Sequence, residues 1–278
     1  MKKIIIISLF TISLGLVCGY LLGRKSAVKE IEEEKIYVNY GDDFTKLEVS
    51  NSKGTSVSLK ANENKRLLVL YLDSMCGACY RQLEVVERMS KIYEDQIDVV
   101  VLWGGGMPKE KYEKLGINEA QIYSLEEKLA LSDSPAGFII DSNGKVVFTT
   151  TDMKKINKKI LSLNGIDRGK IVKKSNQYLK TFFSKTSEKQ SMIYFAMEGC
   201  KDCKAADKVI DEEVYDRFEI KKLYEEAAYG SEELVDINSL FAQIYNIDWY
   251  PSFLILDENE KIIGNTPVDK LKEVMLSE

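Results

Sequence analysis

The chain contains no histidine. That absence removes Ser-His-Asp and Cys-His catalysis, histidine-containing zinc and copper sites, and the commonest general base. Positive charge is not in excess either. Thirty-nine lysines and arginines face 44 acidic residues, for a net charge of −5, and the basic clusters are mixed with Glu and Asp. Such a pattern is a solvated surface and gives no footprint for nucleic acid. What the chain does have is 278 residues, 45% apolar and 30% charged, enough for two ordinary domains with sizeable cores. Of its five cysteines, four form two Cys-x-x-Cys pairs, Cys76/Cys79 and Cys200/Cys203; the fifth is Cys18.

Ile4 to Gly23 carries no charge, with Lys2 and Lys3 before it and Arg24 and Lys25 after it. Twenty helical residues rise about 30 Å, the thickness of a hydrocarbon core. The run is longer than a signal-peptide core and shows no clear cleavage pattern. Residues 1–25 are therefore expected to be an uncleaved signal anchor that crosses the membrane once through residues 4–23. The short basic tail is expected inside, which puts the remainder outside the cytoplasm. Cys18 reads as a small apolar residue in lipid; as a lipid-modified N-terminus it would follow Val17 poorly. Residues 26–40 read as a charged tether.

The folded region shows one order of elements twice. In the first unit, residues 41–162, Phe44–Val49 and Thr55–Leu59 alternate as a hairpin. Leu67–Leu72 reads as a buried strand ending at the first Cys pair. A helix follows with Leu83, Val86, Met89, Ile92 and Tyr93 on one face and Glu84, Glu87 and Arg88 elsewhere. Ile97–Trp103 is a second buried strand, Lys109–Lys128 reads as largely helical, and Phe138–Ile140 with Lys145–Thr149 forms a second hairpin. Residues 163–187 read as a helical linker. In the second unit, 188–278, Met192–Met197 leads into the second Cys pair. A helix through Ile210, a strand Phe218–Tyr224, a helix Val235–Tyr245 and a strand Ser252–Leu256 follow. Asp257–Glu260 then turns the chain into Ile262–Ile263. The expected class is α/β, with two mixed sheets flanked by helices.

A Cys-x-x-Cys pair at the start of a helix carries chemistry of its own. Cys76 and Cys200 would sit where backbone N–H groups and the helix dipole favour an anion, which lowers a thiol pKa. Cys79 and Cys203, one turn on, would resolve a mixed disulfide by intramolecular attack. No histidine, metal or other cofactor is needed. Zinc shared between the pairs is disfavoured, because about 120 residues separate them against the ~15–20 of a zinc ribbon. Purely structural disulfides are disfavoured because so small a loop constrains little of the unfolded chain. A peroxiredoxin is disfavoured because Asp73-Ser-Met-Cys76 has no Thr three residues before the cysteine.

Pro135 follows Cys76 by 59 residues and Pro251 follows Cys200 by 51, each just before a strand. With the Cys pairs, these prolines make both halves resemble thioredoxin-fold domains. The alternative is a proline that merely ends a loop. The first half is similar to the ResA/TlpA group of thiol-disulfide oxidoreductases through Gly54-Thr-Ser-Val-Ser-Leu59, Arg66-Leu-Leu-Val-Leu-Tyr71, Cys76-x-x-Cys79 and Gly137-Phe-Ile-Ile-Asp-Ser-Asn-Gly-Lys-Val-Val147. The second resembles thioredoxin-like domains of transmembrane reductant carriers through Cys200-Lys-Asp-Cys-Lys, Asp211-Glu-Glu-Val and Tyr250-Pro-Ser-Phe-Leu-Ile-Leu-Asp257. The resemblance implies cis prolines at Pro135 and Pro251, with Ser134 and Tyr250 before them, docking substrate backbone.

The chain departs from that pattern at two positions. Met75 and Gly199 stand where a Trp is usual. Leu70 and Tyr194 stand six residues before each first cysteine, where many members bury a carboxylate or amide. The function implied is reduction of exported cysteine-containing proteins or peptides, fed by a membrane thiol donor. Disulfide formation or isomerisation, and a client-binding module without turnover, remain open alternatives.

Overall fold

The computed structural model describes residues 38–62, 64–105, 109–118, 121–125, 134–225, 234–256, 261–264 and 266–277. The signal anchor expected at 1–25, Cys18, most of the 26–40 tether and the turn at Asp257–Glu260 lie outside the described residues. Among the described residues no helix is long and apolar enough to cross a membrane.

Two mixed sheets organise the chain. The first contains β1 (Glu48–Asn51), β2 (Ser56–Ser58), β3 (Arg66–Asp73), β4 (Ile97–Gly104), β5 (Ile122–Leu125), β6 (Ala136–Ile140) and β7 (Val146–Thr150) in the order β2-β1-β5-β4-β3-β6-β7. The second contains β8 (Gln190–Ala196), β9 (Phe218–Tyr224), β10 (Leu234–Val235), β11 (Ser252–Ile255) and β12 (Ile262–Gly264) in the order β10-β9-β8-β11-β12. In each, the strand that leads into the Cys pair is central. It has a parallel neighbour on one side, β4 or β9, and an antiparallel hairpin on the other, β6-β7 or β11-β12. The repeat read from the order of motifs is thus a repeat of topology.

Two expected helices are largely strand and turn. Among the described residues of Lys109–Lys128, only Lys109–Lys114 is helical (α2); Gly116 turns the chain at φ +70°, and Ile122–Leu125 is β5. Ile122 and Leu125 are three apart, as on a helix face, but a four-residue strand with both ends buried meets the same pattern. Within Val235–Tyr245, β10 comes first and a short 3-10 turn follows at Ile237–Ser239, so that only Leu240–Ile244 (α7) is α-helical. Asn238 and Ser239 adopt φ +60° and +53° there. Asp236, buried, fixes this turn by accepting hydrogen bonds from the N–H groups of Phe241 and Ala242, both at 2.8 Å. Two further helices had no sequence counterpart, α6 (Glu212–Arg217) and α8 (Val268–Ser277).

Strand alternation divides the core into three. Leu67, Val69 and Tyr71 of β3 pack under Phe44, Val49 and Phe138 on the outer face of the first sheet. Leu68, Leu70 and Leu72 point the other way, and so do Ile193 and Phe195 of β8; all five belong to one central core. Met192, Tyr194 and Ala196 face a third core beneath α5 (Lys201–Val209) and α8. The central core is filled by α1 (Gly77–Ile92), α3 (Met153–Leu161), α4 (Arg168–Lys180) and α7. The α4 helix, in the stretch read as a linker, buries Ile171 and Leu179 there.

The helix that starts at the first Cys pair is therefore covered on two sides. Leu83 and Val86 are buried as expected, but Gln82 and Arg88 are buried too. Gln82 and Asn238 exchange amide hydrogen bonds at 2.7 and 3.5 Å. Arg88 donates to the Val235 carbonyl and lies over the Phe241 ring at 5.9 Å. Asn157 of α3 accepts from Tyr93 and donates to Leu240 O at 3.2 Å and Gln243 Oε1 at 3.0 Å. These bonds satisfy polar groups that burial would otherwise leave costly.

Phe241 is fully buried and stacks on Tyr178 at 5.9 Å. Phe241→Ala is expected to cost about 3–5 kcal/mol. Urea unfolding followed by hydrogen exchange in β3 and β8 should show both strands losing protection together. A second expectation concerns pH. Burial lifts the Asp236 carboxyl to about 6 despite its two backbone donors. A carboxyl with a higher pKa folded than unfolded contributes stability that is full below about 4 and is lost as pH rises through 6. Relative to Asp236→Asn, the parent chain should gain up to about 3 kcal/mol between pH 7 and 4, read from urea midpoints.

Candidate active sites

Both Cys pairs are closed as disulfides with Cα atoms 5.3 Å apart. Each first cysteine is the N-cap of its helix, α1 or α5, in extended backbone. Its sulfur accepts from the N–H of the second cysteine, at 3.2 Å for Cys76 and 3.0 Å for Cys200. A sulfur in that place is surrounded by unpaired helix N–H groups and the positive end of the dipole, which stabilise a thiolate once the ring opens. Cys76 and Cys200 are half-buried, whereas Cys79 and Cys203 are buried. A substrate sulfur can therefore reach the first of each pair more readily than the buried second.

Both expected cis peptides are present, at Ser134–Pro135 and Tyr250–Pro251. The Ser134 carbonyl oxygen lies 3.3 Å from the Cys76 sulfur, and that of Tyr250 lies 3.9 Å from the Cys200 sulfur. The structure thus brings Ser134, Pro135 and the first Cys pair together, and Tyr250, Pro251 and the second pair. Burial, and then the charges of Glu225 and Asp236, raise the Tyr250 phenol, so it stays protonated.

The surroundings of the two sites differ. Met75, beside Cys76, is 93% exposed, and its N–H is held by the Asp73 carboxylate at 2.7 Å. Gly199 occupies the same place before Cys200 at φ +77°, a backbone that disfavours any side chain. The first site abuts the end of β4, where Gly104 comes so close to Tyr71 that an added Cβ would lie 2.6 Å from its hydroxyl. The second site is flanked by two large exposed apolar side chains, Met197 and Trp249. It opens onto a cavity of about 270 Å³ bordered by Cys200, Cys203, Lys204, Asp207, Lys222 and Tyr224. Asp207 and Lys222 were not singled out in the sequence. The i, i+4 spacing of Cys203 and Asp207 was readable there, but the strand register that brings up Lys222 was not.

No family model matches the chain, and no curated protein does. Among solved structures it is similar to a protein described as the thiol:disulfide interchange protein DsbE from Chlorobium tepidum, at 18% identity and TM-score 0.36, over 45% of this chain and 97% of that one. It is similar to one described as a protein disulfide isomerase from Bacteroides thetaiotaomicron, at 18% identity and TM-score 0.33, over 41% and 79%. It is also similar to a secreted disulfide oxidoreductase from Mycobacterium tuberculosis, at 10% identity and TM-score 0.32, over 40% and 86%. At such identities and scores nothing about activity follows. The chain's own geometry shows one arrangement twice: a central strand with a parallel neighbour and an antiparallel hairpin, ending in a Cys-x-x-Cys helix cap beside a cis-proline.

Proposed function

We propose that this chain is a membrane-anchored thiol–disulfide oxidoreductase that reduces disulfides of exported cysteine-containing proteins or peptides. One observation carries the reading and recurs at both sites: a half-buried sulfur caps a helix beside a cis peptide, with a shielded sulfur one turn on. In the reduced chain, the Cys76 or Cys200 thiolate attacks one sulfur of a substrate disulfide. A new S–S bond forms to the substrate, the substrate's own S–S bond breaks, and its leaving sulfur takes a proton. Cys79 or Cys203 then attacks its neighbour's sulfur, the second substrate thiol leaves, and the ring closes. The substrate gains two electrons and two protons, and the Cys pair loses them.

In this reading Ser134–Pro135 and Tyr250–Pro251 are the edges on which substrate backbone docks. The uncharged run at 4–23 supports an anchor, with both units outside the cytoplasm. A reducing role there requires a donor, since cytoplasmic thiol pools do not reach that side. A membrane thiol protein meets that need, and the closed rings are the state it would recharge.

Incubation of the reduced chain with a peptide disulfide tests the exchange. Cys79→Ala and Cys203→Ala should each accumulate a mixed disulfide at the partner cysteine, visible by mass. Cys76→Ala and Cys200→Ala should form none at the altered site, with peptide reduction there falling by at least about a hundredfold. A parent chain that binds the peptide but reduces none of it would be only a binding module. Equilibration in thiol/disulfide buffers fixes direction: potentials near about −270 mV fit a reductant, and values near about −120 mV would make the chain a disulfide-forming oxidant.

A further inference from the structure

Matching strand order lets the two sites be compared position by position. Six residues before the first cysteine stands Leu70 in one unit and Tyr194 in the other. Seven residues after it stand Leu83 and Asp207. The strand partner of Leu70 is Val101, and that of Tyr194 is Lys222. Around Cys79 the first site therefore has three buried aliphatic side chains, all in the central core. Around Cys203 the second has a phenol, a carboxylate and an ammonium.

Those three polar groups are joined to one another and to the helix that carries Cys203. Lys222 Nζ lies 2.7 Å from Asp207 Oδ1 and 4.7 Å from the centre of the Tyr194 ring. The Tyr194 hydroxyl donates to the Cys203 carbonyl at 2.9 Å. Cys203 and Asp207 stand four apart on α5, so their side chains leave the same face. Both border the cavity that also reaches Cys200, which is lined in part by charged side chains and is large enough to hold water. The two layers explain the difference. The α1 helix is enclosed between the first sheet and the Val235–Phe241 segment, where an ion pair would lose its hydration. The α5 helix covers the outer face of the second sheet, and its pair is 41% exposed at Asp207 and 28% at Lys222.

We infer that Asp207, held by Lys222, takes the proton of Cys203 as the second disulfide closes, and that the matching described position of the first site, Leu83, offers no such acceptor. The inference rests on the exchange chemistry proposed above. The Cys203 proton passes across the cavity to the Asp207 carboxylate, and the thiolate attacks the Cys200 sulfur. The bond from Cys200 to the substrate sulfur breaks, the leaving thiolate takes a proton from water, and Asp207 returns its own proton to water. Asp207 touches no substrate atom; it sets the protonation of Cys203. Tyr194 is not the acceptor, because burial, then the charge and hydrogen bond of Asp207, keep its phenol protonated. Lys204 and Glu198 at the cavity rim, Tyr224 on β9, Tyr215 near Tyr194, and Tyr250 with Glu225 beside the cis-proline are other described titratable groups at the site.

The test uses the full chain with Cys18→Ala, Cys76→Ser and Cys79→Ser, reduced and mixed with an aromatic disulfide whose thiolate product is coloured. The first coloured thiolate reports attack by Cys200, and the second reports closure by Cys203. Asp207→Asn should leave the first phase within about twofold. It should slow the second at least about tenfold near pH 6–7, with the defect fading toward about pH 9 as Cys203 ionises unaided. Asp207→Glu should restore most of the rate, and Lys222→Met should slow the second phase as well. In the mirror chain, with Cys200→Ser and Cys203→Ser, closure by Cys79 should follow ordinary thiol ionisation. An Asp207→Asn second phase with unchanged rate and pH profile overturns the inference. So does a faster one, which would mean that the freed ammonium stabilises the thiolate. A parent chain without a first phase instead sinks the exchange reading itself.

Discussion

The packing of α1 between the first sheet and the Val235–Phe241 segment of the second unit is the constraint on which the rest of the structure depends. A helix on one face of a sheet normally keeps a wet side; this one buries Leu83 and Val86 toward β3 and Gln82, Val85, Arg88 and Met89 as well. With α3, α4 and α7 it forms a layer shared by two sheets, so the two units do not have separate interiors. Because the layer is sealed, polar members gain from pairing within it, though Ser175 Oγ and Trp103 Nε1 find no partner among the described residues. Asn157 with Tyr93 and Gln243, Gln82 with Asn238, and Arg88 with Val235 pair there. A pair of backbones in the left-handed region, at Asn238 and Ser239, is held in place by the same contacts and by the Asp236 cap.

That layering also sorts the chemistry. Both first cysteines use the same device, a sulfur at the end of a helix where N–H groups lack partners, and this works without histidine. The second cysteines share burial but not neighbours. Cys79 belongs to the central layer, where aliphatic side chains pack to high density and a charge would be expensive. Cys203 belongs to the outer core beneath α8, close enough to solvent to admit Asp207 and Lys222. One architecture used twice thus produces two sites with unlike surroundings, because one copy of the helix was spent on joining the units.

The sequence by itself determined the central strands, the site and the repeat. The apolar run Leu67–Leu72, and Ile97–Trp103 with Asp98 as its one polar residue, read as strands buried on both faces, and β3 and β4 lie there. Two Cys pairs at strand-to-helix junctions, with a proline before a later strand, placed Cys76, Cys79, Cys200 and Cys203 beside Pro135 and Pro251. This is short-range chemistry, carried by spacing. What only tertiary structure decided lies across the chain. Ile122–Leu125 became a strand because β1 and β4 offered edges to pair with, not because of its own periodicity. Gln82 and Arg88 look like the solvated side of an amphipathic helix until the Val235–Phe241 segment covers them. Lys222 acquires meaning only through the register that sets it opposite Tyr194. A sequence specifies which residues share a helix face or a strand face, but which two faces meet is fixed by burial summed over the whole chain.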